Sequence, residues 1–179
     1  MTVVDDALVR HALLRRSVER MGQRANSNPL DAQFIELGVV KRGDTSQEAR
    51  NELNAAFGEL LSRIDHLTLI DVCGAFEAHF LKWISTAIGE SRRVISTHYN
   101  IEVMKDLKER FIRDRNSFDS LDSIVKLVEG KVSADVLGKL EKLRNQRNRS
   151  AHGEALDKPP SVSVSEAGNL LSEILETFG

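Results

Sequence analysis

Cysteine, proline and aromatic residues are scarce in this 179-residue chain, which has one cysteine, three prolines and 5% aromatic residues. A single thiol, Cys73, closes no intramolecular disulfide, and nothing at the N-terminus resembles a charged segment followed by an apolar one, so the expected compartment is the cytoplasm. The prolines fall only where the helical pattern breaks, in "NSNPLDAQF" and at Pro159 and Pro160, where they mark a stiff connector. Long apolar runs are missing too. The longest candidate, "LTLIDVCGAF" from Leu67 to Phe76, contains Asp71 and soon meets Glu77 and Lys82, which excludes a membrane span and leaves a core segment. Charge of one sign is also lacking. With a net charge of -2 there is no bulk pull toward nucleic acid, and any such binding has to come from a local basic patch. What remains, 41% hydrophobic and 29% charged residues, is enough for one core in a single domain, alone or as a small oligomer.

Helical periodicity dominates. From Val4 to Arg24 the residues Leu8, Val9, Ala12, Leu13, Val18 and Met21 recur at mostly three- and four-residue steps, the helical period, and predict a first helix. "KRGDTSQEA" breaks the chain, and Thr45 with Glu48 has the spacing of a capping box ahead of a long helix. Its buried face is read as Ala49, Leu53, Ala56, Phe57, Leu60, Leu61 and Ile64. The pattern then runs on through Phe76, Phe80 and Trp83 to Ile88, which predicts two helices jointed near "RIDHLT". A loop around "STHYN", a polar helix from about Ile101 to Asp114 and a short helix from about Leu121 to Glu129 follow. Ser133 is a candidate cap for the next helix, and Ser163 with Glu166 gives a second capping-box spacing before the last one. Only "SVSV" alternates like a strand, and it is too short to found a sheet. The fold class is therefore all-α, with residues 1–44 as an N-terminal helical extension and residues 45–179 as the core bundle.

The stretch "LEKLRNQRNRSAHG" breaks its own pattern. Val136, Leu140 and Leu143 lie along one stripe, and the next places on it are Arg147 and Ala151. An arginine out of water without a counterion is costly, so Arg147 must reach an acid, open into a cleft or face another subunit. Gly153 has the position of a left-handed helix stop, which puts His152 at the helix end, with Asn148 four residues earlier on the same face. The plain reading is a solvated cap, with Arg147 serving the last carbonyls or a surface acid. Between Val136 and Gly153 the basic residues Lys139, Lys142, Arg144, Arg147 and Arg149 face a single acid, Glu141. Of these, Lys139 and Lys142 read as an outer solvated face, and Arg144 as the better second phosphate contact beside Arg147.

The residues "RNRSAH" match the Arg, four-to-six residues, His motif of the HEPN superfamily, in the variant with a polar residue after the Arg. The wider stretch resembles the "L..LR..RN..AHG" pattern of its prokaryotic RiboL-PSP branch, and "LIDVCGAFEAHFLKWI" resembles the family's earlier core helix with its "FE" pair. The resemblance covers about residues 45–179. It implies a HEPN-type helical bundle acting as a homodimer, in which two motif helices line one cleft and cut RNA without metal or other cofactor. Arg147 would bind the scissile phosphate, His152 would move a proton to or from the ribose, Asn148 would orient either, and Arg144 and Arg149 would contact RNA. It further implies a toxin or defence effector, with a cognate antitoxin or defence-system protein as a possible partner, and no membrane.

Other chemistry has little support. His11, His66, His79 and His98 show no metal-ligand spacing, and no Gly-rich phosphate loop or GxSxG elbow is present. His79, among Phe76, Phe80 and Trp83, is read as a partly buried structural histidine, and Glu77 as an acid that could reach an arginine, Arg147 among them. Two other functions stay open: a HEPN module that binds RNA or protein without cutting, and a plain helical dimerisation domain.

Overall fold

The computed structural model describes residues 3–96, 121–154 and 156–178, which form six helices and no strand. They are α1 (Val3–Ser27), α2 (Ala32–Glu36), α3 (Ser46–Ser96), α4 (Leu121–Val128), α5 (Ala134–Ala151) and α6 (Val164–Phe178). The all-α class is as expected. The helix anticipated at about Ile101 to Asp114 lies outside the described residues. The five-residue helix α2 went unread in the sequence; it starts where Asp31 accepts a hydrogen bond from the Gln33 amide at 3.0 Å.

Local capping chemistry is where the sequence placed it. Thr45 and Glu48 exchange hydrogen bonds at the start of α3, with the Thr45 amide donating to Glu48 at 2.8 Å, and Ser163 and Glu166 repeat the arrangement at α6. Amide and hydroxyl donors hold both carboxyls below the usual carboxylate range. The expected joint near "RIDHLT" does not exist. Helix α3 runs unbroken for 51 residues, roughly 75 Å at 1.5 Å per residue. No Gly or Pro falls within "RIDHLT", and the Thr68 hydroxyl bonds back to the Ile64 carbonyl within the continuous helix.

The length of α3 reflects its role as the central post of the bundle. Helix α1 lies antiparallel along its first half, joined by Asn26–Asn54 at 2.7 Å, Arg15–Asp65 at 2.6 Å and Arg10–Asp71 at 3.1 Å. Further along, Leu69, Val72, Cys73, Phe76 and Phe80 enter the main core with Ile124 and Val128 of α4, Leu140 and Leu143 of α5, and Leu171 and Ile174 of α6. Phe76 and Phe80 are fully buried with tilted rings 5.5 Å apart, each burial stabilising by roughly 1.5–3 kcal/mol. Two residues of the N-terminal helix, Val4 and Ala7, belong to this same core, and the close approach of α6 is possible because Gly168 presents no Cβ to Leu8.

Helix α1 forms as expected but buries only part of its apolar period. Its buried face carries Val4, Ala7, Val18 and Ala25, whereas Val9, Ala12, Leu13 and Met21 are exposed. The small side chains win the interface because they let α1 lie close to α3, with Gly22 seated over the Phe57 ring. On α3 itself Leu60 and Leu67, both expected in the core, are exposed.

Candidate active site

Helix α5 is held at both ends by its own local chemistry. Ser133 caps the start, its side chain accepting from the Val136 amide at 3.3 Å. At the other end the Gly153 amide bonds the Ser150 carbonyl at 3.0 Å and the Glu154 amide bonds the Arg149 carbonyl at 2.9 Å, a Schellman stop. Gly153 takes φ of 75°, a conformation costly for any residue with a Cβ, so the helix ends there and His152 becomes its C-terminal cap.

This geometry brings three of the sequence-predicted residues to one helix end. Arg147 Nη1 donates to Asn148 Oδ1 at 3.2 Å, and the His152 side chain stands exposed one turn further on. The puzzle of an arginine on an apolar stripe resolves in favour of an acid. Arg147 Nη2 lies 3.5 Å from Glu77 Oε2, across from α3, with the side chains 28% and 12% exposed. Glu77 uses its other oxygen, Oε1, to accept from the Leu121 amide at 2.8 Å, which ties the first residue of α4 to the same carboxylate. One acid thus anchors α4 and fixes the guanidinium. Arg147 Nε is buried without a hydrogen-bond partner, so the fork is only partly satisfied.

The other two predicted basic residues are not gathered into this group. Arg144 sits on the Arg147 side of the helix but is engaged by Asp122 of α4 at 3.2 Å. Arg149 turns the opposite way and pairs with Glu154 at 3.3 Å. Lys139 is spent on Asp135 at 2.6 Å one turn earlier, as an outer-face residue would be. His79 is exposed rather than partly buried, at the flank of the α3 face that carries Phe76 and Phe80.

Among the described residues the buried histidine is His66, to which the sequence reading gave no structural role. Its Nε2 donates to the Lys158 carbonyl at 2.8 Å and its Nδ1 lies 2.7 Å from Ser150 Oγ. Ser150 also donates to the Gln146 carbonyl at 2.8 Å, and Gln146 Oε1 accepts from the Ser161 amide and hydroxyl at 3.1 and 2.6 Å. This buried polar network clamps the Pro159–Pro160 connector onto the back of the motif helix. A signal was present: Gln146 and Ser150 are polar residues four apart on the side of α5 that carries Leu143. Cys73, close behind the Glu77–Arg147 pair, is not a nucleophile. Burial, with the Glu77 charge adding to it, pushes its thiol up to about 12.

Among the described residues no group of three or more His, Cys, Asp or Glu side chains is placed to hold a metal ion, and no helix is long and apolar enough to cross a membrane. Comparisons with protein-family models, with curated proteins and with solved structures find no match. The functional reading therefore rests on the residues themselves.

Proposed function

We propose that this chain is a HEPN-type endoribonuclease that cuts RNA without metal, working as a dimer whose two α5 helix ends form one cleft. The observation that carries the proposal is the grouping of Arg147, Asn148 and an exposed His152 at the end of one helix, with Arg147 held by Glu77. In the reaction the ribose 2′-oxygen attacks the adjacent phosphorus as its proton leaves. The bond from phosphorus to the 5′-oxygen breaks, and a proton is delivered to that oxygen. His152 serves these proton transfers, since imidazole changes charge close to neutral pH. Arg147, permanently charged and able to fork onto phosphate oxygens, stabilises the charge that builds on the phosphoryl group. The products are a 2′,3′-cyclic phosphate and a 5′-hydroxyl, and DNA is resistant for want of the 2′-OH. A cytoplasmic toxin or defence effector, restrained by a cognate antitoxin or defence-system protein, is the setting that the family resemblance suggests.

One observation favours a second reading. Arg147 already has a counterion in Glu77, as it would in a HEPN module that binds RNA or protein without cutting. Incubation with structured and single-stranded RNAs in excess EDTA, beside His152→Ala, separates the two. Cleavage that resists EDTA, leaves cyclic phosphate ends and vanishes in a folded His152→Ala variant is expected. Intact RNA in the presence of folded, dimeric protein would overturn the ribonuclease and leave the binding module.

A further inference from the structure

Of the exposed apolar side chains of α1 and α3, Leu14, Met21, Leu60 and Leu67 fall into two matched stripes, while Val9 and Leu13 lie to one side of them. Arg10, Leu14, Ser17 and Met21 follow one another at steps of four, three and four, and Leu60, Ile64, Leu67 and Asp71 do the same, so each set runs along one side of its helix. The Arg10–Asp71 contact at 3.1 Å joins the two stripes and puts them on one side of the antiparallel pair. The Asp65 cluster with His11 and Arg15 closes the opposite side. In this register Leu14 is level with Leu67 and Met21 with Leu60. These four side chains are 51%, 66%, 56% and 42% exposed, while Ile64 between them is buried.

We propose that this face is where a second copy of the chain docks, by an interface separate from the α5 end and independent of the ribonuclease reading. Two observations select a second copy as the occupant. The first is self-complementarity. A copy turned about an axis parallel to the helices lays its α3 over this α1. Leu14 then meets Leu67 of the other copy, Met21 meets Leu60, and Arg10 meets Asp71. The two ion pairs become a ring of four charges of alternating sign, and no like charges oppose each other across the apolar centre. The second is area. With Leu13 at its edge the face exposes roughly 450 Å² of apolar side chain, in the middle of the range for the largest patch on a monomer. At an apolar share near 60%, that corresponds to about 750 Å² per copy, close to what a stable protein–protein interface buries on each side. The fit is isologous, so it closes on itself at two copies through this face.

Mass measurement on the full chain by light scattering and sedimentation between about 1 and 100 µM tests this. Leu14→Glu combined with Leu67→Glu changes two exposed positions, so the helical circular dichroism is retained. The expected result is a mass half that of the wild type and a dissociation constant weakened at least roughly 100-fold. The halving runs from tetramer to dimer if the α5 ends also pair and from dimer to monomer if they do not. Failure of the RNA assay therefore leaves this outcome intact. Arg10→Glu and Asp71→Arg are each expected to halve the mass alone and to restore it when mixed, because only the mixture offers opposite charges across the interface. A wild type that is monomeric at 100 µM overturns the proposal. So does a Leu14→Glu, Leu67→Glu variant of unchanged mass, or a different protein that binds this face while the chain alone stays monomeric.

Discussion

Deleting the Glu77 side chain is the sharpest test of how the motif arginine is held. Removing one member of a buried ion pair costs about 3–5 kcal/mol when both are fully desolvated. Arg147 keeps 28% of its side chain in water and the contact is 3.5 Å, beyond the span of a strong hydrogen bond, so its share falls to about 1–2 kcal/mol. The lost acceptor for the Leu121 amide, a charge-assisted bond of 2.8 Å, adds about 1.5 kcal/mol. Glu77→Ala is therefore expected to destabilise by about 2.5–3.5 kcal/mol, lowering the melting temperature by roughly 5–14 °C for a domain of this size. Urea unfolding followed by circular dichroism reads this as a lower midpoint with an unchanged slope. Glu77→Gln keeps an oxygen for Leu121 and loses only the charge, so its cost should be about half. Placing Glu77→Ala in an Arg147→Met background, which has no guanidinium left to strand, isolates the pair, and there the cost should shrink by about 1–2 kcal/mol. Equal costs in the two backgrounds would refute the reasoning and mean that Arg147 is positioned by packing alone.

Three further outcomes follow from particular contacts. His66→Ala removes the donor to the Lys158 carbonyl and the contact to Ser150, and should cost about 2–4 kcal/mol while raising hydrogen exchange around residues 156–161; protection unchanged there would show that the connector is held by its prolines instead. The Glu48 and Glu166 carboxyls titrate below the ordinary carboxylate value of 4.5 in the folded chain, Glu48 chiefly through the Thr45 amide and Glu166 chiefly through the Ser163 hydroxyl. Their stabilisation is thus present above pH 4.5 and lost as pH falls through the depressed values, so Glu166→Gln should lower the melting temperature above that pH and flatten its fall on the acid side. Gly153→Ala, at φ of 75°, should destabilise by about 1 kcal/mol and fray the His152 end, whereas Gly74→Ala, mid-helix with open space around its Cβ, should stabilise by about 0.5–1 kcal/mol; equal effects in chemical denaturation would contradict the left-handed stop.

The amino-acid sequence by itself determined whatever is settled within about one helical turn. The boxes at Thr45–Glu48 and Ser163–Glu166, the Ser133 cap and the Gly153 stop were all legible, because donor and acceptor are never more than five residues apart. Legible for the same reason was the grouping of Arg147, Asn148 and His152, which needs only the pitch of a helix that ends at a glycine. Burial was another matter. The apolar period of α1 runs through Val9, Leu13, Val18 and Met21, yet of these the tertiary structure buries only Val18 and sets Val4, Ala7 and Ala25 beside it, since close approach of two helices selects for small side chains. Helix α3 was read as two helices because its apolar pattern runs too long without a stop for one ordinary helix, whereas the tertiary structure gives a single long helix successive neighbours, α1 and then α4, α5 and α6, to bury against. Glu77 reaches Arg147 across 70 residues and His66 reaches Ser150 across 84. Such contacts have no signature in local spacing. They exist only once the helices have packed and the cost of leaving a buried polar group unpaired decides which partners meet.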